Sequence, residues 1–495
     1  MRYLVLLWVV TTLAFSCSGT KRSSDRPNIL FIMSDDHAVN TIGCYNLRLS
    51  EVAHTPHIDK LAREGVILEN VFCTNSICVP SRATILTGQY SHVNGAKTLA
   101  DSLSPNPNHL PIILQQAGYE TAVVGKWHLK SRPAGFDYFE VLRGQGEYNN
   151  PTLYVMENYE KDGRSYEGHT SEVIVDLSLK WLENRKQKDK PFMLMTHFKS
   201  VHEPFYASRE YLSMFAGDTF PEPVDLYWKE SPQGKTFEGW PLEILRDRYL
   251  NNPQRYPPPL LQLDQEWDTL EMRKATYQKF IRNYLQGVAS IDAGVGKIIE
   301  YLRTTGQLDN TLVIYTSDQG YFLGEHNLFD KRFMYEESLR MPFIVRYPRE
   351  IPAGSKVNDI VTNVDFAPFL LDYADLEPPG PMQGRSFRKN LWGHTPSDWP
   401  QSMYYRYWTD DQPVRPAHLG IRTKRYKLIY FYGLLAQGVR DENCWELYDL
   451  RNDPNEWRNI YHSADDALIQ KLKEELIKIK LESNDHSDIP NSEAK

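Results

Sequence analysis

Asn28-Ile29-Leu30-Phe31-Ile32-Met33 is a short apolar run that ends directly in Ser34-Asp35-Asp36. An uninterrupted run of this length, closed by polar residues, reads as a buried parallel strand. Ligands in open α/β sheets bind at the C-terminal ends of such strands. The pattern recurs at 121–125 before Lys126-Trp127-His128, at 192–196 before the segment His197 to His202, and at 311–316 before Ser317-Asp318. Helical periodicity lies between these runs, over 55–64, 110–116, 169–185 and 273–304. The alternation predicts an α/β fold: a large mixed, mostly parallel sheet sandwiched by helices.

Two shifts in composition divide the rest of the chain. Residues 216–265 are rich in Pro, Tyr and Trp and include Pro257-Pro258-Pro259, which predicts an irregular insertion. It either shapes a substrate entrance or is a plain surface excursion. Glu377-Pro378-Pro379-Gly380-Pro381 reads as a linker after a main domain spanning 27–376. Strand patterns at 402–408, 418–423, 426–432 and 446–450 follow, then a closing helix at 465–481. These predict a smaller C-terminal α+β subdomain over 382–482 with an antiparallel sheet, and a tail over 483–495.

At 495 residues, with 41% hydrophobic and 24% charged residues, the chain has ordinary globular composition, which excludes disordered, collagen-like and multi-spanning membrane classes. Its formal charge of −8 provides no global field for nucleic acid, so no nucleic-acid partner is expected and any positive site is local. Residues 1–16 carry one charge, Arg2, and then an apolar run too short to span a bilayer, as in a secretory signal peptide. Ala14-Phe15-Ser16-Cys17 is similar to a bacterial lipobox, in which Cys17 is acylated; ordinary cleavage near Ser18 is the alternative. Either way the protein is exported, to a periplasm or as a membrane-anchored lipoprotein, with 17–26 as a tether.

The sharpest local signal is Cys78-Val79-Pro80-Ser81-Arg82. C-x-P-S-R arises by chance in about one chain of this size per thousand. Pro80 belongs in a first helical turn, so Cys78 sits at a helix N-terminus and shares a face with Arg82 at i+4. Taken alone, a cysteine before a helix is more often a buried structural group. Two oxygen-bearing pairs, one of two carboxylates and one of a carboxylate and an amide, end two of the apolar runs. Asp35-Asp36 and Asp318-Gln319 together supply hard oxygen ligands for a divalent cation, and oxygen-only ligation argues against zinc. Cys44, Cys73 and Cys444 show no spacing signal, and His197 and His326 read as structural.

With these motifs in this order, the chain resembles the type I sulfatases of the alkaline-phosphatase superfamily over about residues 27–480. The resemblance implies that a partner maturation enzyme oxidises Cys78 to formylglycine. The hydrated aldehyde carries two hydroxyls on one carbon: one attacks sulfur, and deprotonation of the other collapses the adduct and expels sulfate. It also implies calcium, held by Asp35, Asp36, residue 78, Asp318 and Gln319. Gln319 departs from the Asn or His of many relatives. Arg82 then supports nucleophile and metal, and Lys126 and His128 flank the hydrate, with His128 as the base. His202, from Val201-His202-Glu203-Pro204, protonates the leaving alkoxide, and Lys331 clamps the sulfate.

The stretch Thr316 to His326 and on to Ser338 is similar to bacterial sulfatases acting on glycosaminoglycan sugars, especially N-acetylglucosamine 6-sulfate. Tyr404, Arg406 and His418 are the candidate sugar contacts, against the alternative of ordinary strand packing. Competing readings are a sulfatase for another sulfated glycan, a phosphoester hydrolase of the same superfamily, and a non-catalytic glycan-binding lipoprotein.

Overall fold

The run that begins at Asn28 forms the strand Asn28–Ser34, buried at every position. In this computed structural model, which describes residues 26–227, 241–264, 266–409, 415–432 and 445–489, that strand lies inside a ten-stranded sheet. The expected signal peptide at 1–16, Cys17 with the tether to residue 25, insertion residues 228–240 and 265, Cys444 and tail residues 490–495 lie outside the described residues.

The strand order is 355–357, 66–68, 343–346, 311–317, 28–34, 192–197, 120–126, 138–142, 152–155 and 164–165. The four strands predicted to end in polar residues stand side by side and parallel: 311–317, 28–34, 192–197 and 120–126. Their register explains why their ends converge. Ser34 pairs with Ser317, Met33 with His197, and Gly125 with His197. Gly125 has φ +106°, and a Cβ there would fall 2.0 Å from the His197 carbonyl oxygen, so only glycine fits this approach. Antiparallel pairing of 343–346 with 311–317 and of 138–142 with 152–155 makes the sheet mixed.

Alternate residues feed two apolar layers, as the two-residue period of a strand requires. Phe31, Val123, Met195 and Ile314 face one layer, with Val79 and Ala83 of the helix Cys78–Thr87 and Phe366 and Phe369 of the helix Phe366–Tyr373. Leu30, Ile32, Leu194 and Val313 face the other, covered by the helices Pro56–Glu64, Thr170–Asn184 and Thr269–Thr304. The strands Ser402–Tyr407, His418–Thr423, Tyr426–Tyr430 and Trp445–Asp449 form a separate antiparallel meander. Leu472 and Leu476 of the helix Asp466–Glu482 pack into the same apolar cluster as that sheet.

The expectation of an irregular insertion needs correcting. It contains the helix Leu242–Asn251 followed by a 3-10 turn at Pro253–Arg255. Leu242, Leu245 and Tyr249 are buried at helical spacing, a period that the surrounding charged residues hide from composition. Arg273 of the long helix pins it, with Nε donating to Glu243 Oε1 at 2.6 Å.

Candidate active site

The aligned strand ends leave little choice about what meets what. Asp35 and Asp36 leave one strand, Lys126 ends another, and Asp318 and Gln319 follow a third. The helix Cys78–Thr87 brings the remaining members, with Cys78 as its first residue and Pro80 in the first turn. Every residue of that helix is buried, Arg82 included.

Within this cluster Cys78 Sγ lies 3.7 Å from Asp35 Oδ1, 3.4 Å from Lys331 Nζ, 3.9 Å from Gln319 Nε2 and 4.0 Å from Lys126 Nζ. Lys126 Nζ donates to Asp35 Oδ2, and to Gln145 Oε1 at 2.7 Å; Lys331 Nζ donates to Asp36 Oδ1. Arg82 ties three segments together. Its Nε donates to Asp318 Oδ2 at 2.9 Å, its Nη1 to the Lys126 carbonyl at 2.8 Å, and its Nη2 stands 3.8 Å from Asp35 Oδ1. The Asp36 N–H donates to Asp318 Oδ1 at 3.1 Å. Asp36, His128, Asp330 and Arg332 all have positive φ, so part of the chain's backbone strain lies at the site.

Three carboxylates sharing one buried site repel one another unless cations intervene. Burial works against charge on Asp35, but Lys126, His202, Arg82 and Lys331 outweigh it and hold this carboxyl well below its ordinary value. Burial, reinforced by the charge on Asp35, pushes Asp318 up to about 7 despite Arg82. Asp36 is raised, also by burial first. Burial lifts the Cys78 thiol to about 11 and, with Lys126 and Arg82, lowers His128 to about 2.

The donors fit a hard divalent cation. Asp35 and Asp36 each offer a carboxylate oxygen within 4.8 Å of the other and of Cys78 Sγ, which is a soft donor and would match the set only once oxidised to an oxygen-bearing side chain. Gln319 is fully buried, and its Oε1 makes no hydrogen bond, the condition of an amide oxygen that a cation would satisfy.

A cavity of about 360 Å³ opens above Cys78. His202 and Lys331 line it, and His202 Nε2 stands 3.8 Å from Asp36 Oδ2. His128 is buried beside the same charges, although it is not among the described lining residues. His197 is structural in its contacts, with Nδ1 3.2 Å from the Lys126 carbonyl.

The expected sugar contacts do not reach this cavity. Tyr404 and Arg406 lie on one side of their strand and both bond Asp485 Oδ2 at 2.7 Å. His418 is fully buried, stacked on Tyr405 and Phe333, with Nδ1 2.8 Å from the Pro416 carbonyl. These residues hold the smaller sheet together. The cavity wall comes instead from Gln145, Glu203, Arg248, Asn252, Arg255 and Tyr256, which sequence reasoning missed. Glu203 stands inside the quoted Val201-His202-Glu203-Pro204 motif, and the last four belong to the insertion; nothing local in the sequence marks Gln145.

Residues 27–376 match the family model described as Sulfatase. The chain belongs to the sulfatase family. This sulfatase also matches, over 324–482, the model described as N-sulphoglucosamine sulphohydrolase, C-terminal. It is 38% identical to an N-acetylglucosamine-6-O-sulfatase of Bacteroides thetaiotaomicron, covering 94% of this chain and 88% of that protein. An N-acetylglucosamine-6-sulfatase of Capra hircus is 26% identical over 93% of this chain and 84% of its own. A solved structure in complex with its substrate, D-glucosamine-2-N,6-O-disulfate, superposes with a TM-score of 0.82 and 36% identity, covering 93% of this chain and 99% of that one. The sulfatase is therefore a sulfuric ester hydrolase.

Proposed function

We propose that this sulfatase removes the 6-O-sulfate of N-acetylglucosamine 6-sulfate in heparin, heparan sulfate or a related glycosaminoglycan. The reading is carried by its likeness, over 94% of the chain, to a relative named for that reaction. The intact cluster of Cys78, Arg82, Lys126, His128, His202 and Lys331 supports it. In this reading Cys78 is oxidised to formylglycine by a maturation enzyme, and calcium is held by Asp35, Asp36, residue 78, Asp318 and Gln319. When present, the hydrated aldehyde supplies a hydroxyl that accepts the sulfuryl group and a second that releases it, while calcium supplies positive charge at the sulfate oxygens.

The protein's own residues orient the ester and move the protons. Lys331 and Lys126, both within 4.0 Å of Cys78 Sγ, bind the sulfate oxygens as negative charge gathers on them. Arg82 positions this machinery by fixing Asp318 and the Lys126 backbone. His202 Nδ1 donates to the Glu203 carbonyl at 2.7 Å, which turns Nε2 toward Asp36 and the cavity. Burial holds the His202 imidazole well below its ordinary value, so once protonated on Nε2 beside an anionic ester it gives that proton readily to the leaving alkoxide. Burial, with Lys126 and Arg82, keeps the His128 imidazole uncharged, the form that accepts the hydroxyl proton whose loss triggers sulfate release. With the leader read at residues 1–16, the reaction takes place outside the cytoplasm, in a periplasm or on a membrane through an acylated Cys17.

A desulfation screen over 2-, 3-, 4- and 6-sulfated amino sugars and uronate disaccharides tests the reading. Sulfate release centred on N-acetylglucosamine 6-sulfate is expected; preference for galactose 6-sulfate or for an N-sulfate would overturn it.

A further inference from the structure

Part of the wall of the cavity that Cys78, His202 and Lys331 line is a basic patch, Arg248 and Arg255. It comes from the inserted segment, and a single carboxylate organises it. Glu203, the neighbour of His202, accepts from Arg248 Nη1 at 2.6 Å and from the Tyr256 hydroxyl. Arg248 is further fixed by its guanidinium lying 5.3 Å over the Phe329 ring. Arg255 faces the same carboxylate at 3.9 Å, beyond hydrogen-bond reach, with 52% of its side chain exposed while lining the cavity. Two arginines thus share one carboxylate, in a chain whose formal net charge is −8.

We propose that Arg255 forms a second anion site at the mouth of the pocket, reading an acidic group on the glycan other than the ester being cut. That group is an N-sulfate on the same glucosamine or the carboxylate of an adjoining uronate. The inference rests on the glycosaminoglycan reading above and deepens it. A guanidinium fork matches both oxyanions in two parallel hydrogen bonds, where an ammonium offers a point charge. The cleft confines the field of the arginine toward an incoming polyanion. A cavity of about 360 Å³ takes a sugar ring as well as its sulfate, so a second substituent reaches this wall when the ester lies against Lys331. Glu203 is then a positioning residue, since its carboxylate sets the arginine wall.

Calorimetric binding in a Cys78→Ala background, where nothing is turned over, tests the site with three ligands. These are N-acetylglucosamine 6-sulfate, glucosamine 2-N,6-O-disulfate, and a disaccharide of uronate and N-acetylglucosamine 6-sulfate. At least one doubly acidic ligand should bind about tenfold tighter than the monosulfate, and which one does so names the second group. Adding Arg255→Ala should reduce that ratio to about twofold or less, and Arg255→Lys should restore part of it. Equal affinities for all three ligands, no binding of any, or an equal loss on all three in Arg255→Ala would overturn the proposal. Sulfate release by the wild-type enzyme separates the two readings. If the binding ratio holds but N-acetylglucosamine 6-sulfate is not cleaved, the 6-O assignment fails and the second anion site stands.

Discussion

Ser34 and Ser317 are register partners on adjacent parallel strands, so the residues that follow them, Asp35 and Asp318, leave the sheet together although 283 residues apart in the chain. The acidic site is therefore a consequence of sheet register, and side-chain flexibility contributes little to it. Arg82 then joins the two carboxylates, at 3.8 Å from Asp35 and 2.9 Å from Asp318.

A cation bound by these carboxylates stabilises the folded chain, because the unfolded chain has no such cluster. Calcium added to chelator-treated protein should raise Tm progressively, reaching about 2.7 kcal/mol of stabilisation at a hundredfold excess over Kd. Asp318→Asn should flatten that response, as read by thermal denaturation across a calcium series. A Tm indifferent to calcium in the parent would remove the metal from the account.

Cys78→Ala should abolish sulfate release while leaving Tm within a few degrees of the parent. The side chain is small and 1% exposed, and its loss opens only a minor cavity, costing about 1 kcal/mol. Retained hydrolysis in a folded Cys78→Ala protein would show that the nucleophile lies elsewhere.

His202→Ala should slow sugar sulfates by about 10² to 10⁴ and activated aryl sulfates far less, because a good leaving group needs no proton. Side-by-side kcat values on the two substrate types provide the comparison. Equal losses on both would take His202 out of the acid role.

Arg406 and Asp485 form a buried pair that anchors the chain after the last helix onto the smaller sheet. Arg406→Ala should cost about 2 kcal/mol by removing the charged hydrogen bond to Asp485 Oδ2 and leaving that buried carboxylate with Lys480 Nζ, 3.6 Å away, as its cationic partner, with no selective effect on substrates of different charge. Burial opposes ionisation of Asp485, but hydrogen bonds from Ser487 and Tyr404 and the charge of Arg406 hold its carboxyl well below the ordinary 3.8. A carboxyl lowered in the folded state contributes stability above pH 3.8 and loses it as pH falls toward the folded value. The stability difference between parent and Asp485→Asn should accordingly narrow below about pH 4 in denaturant titrations. A difference that stays constant through the acid range would contradict the assignment.

The strand ends are legible in sequence because a buried parallel strand imposes an unbroken apolar run, and polar residues are tolerated only where it leaves the sheet. That logic finds Asp35, Asp36, Lys126 and Asp318. The C-x-P-S-R motif places Cys78 and Arg82 on one face of a helix start, and the resemblance to sulfatases is what gives the two residues their roles. The cavity wall is not legible in this way. Gln145, Arg248 and Arg255 reach the cavity through loop and insertion geometry, and polar residues there follow no period. Tyr404, Arg406 and His418 mislead for the opposite reason: aromatic and basic residues on a strand look like glycan contacts but here close a buried interface.

Residue 78 is expected to work as an oxidised side chain, and the mass of the peptide containing it, from protein purified from its native host, reads out that oxidation. Replacing the thiol with an aldehyde lowers that mass by about 18 Da, the result expected here. A fully active enzyme whose peptide retains the unmodified cysteine mass would contradict the account.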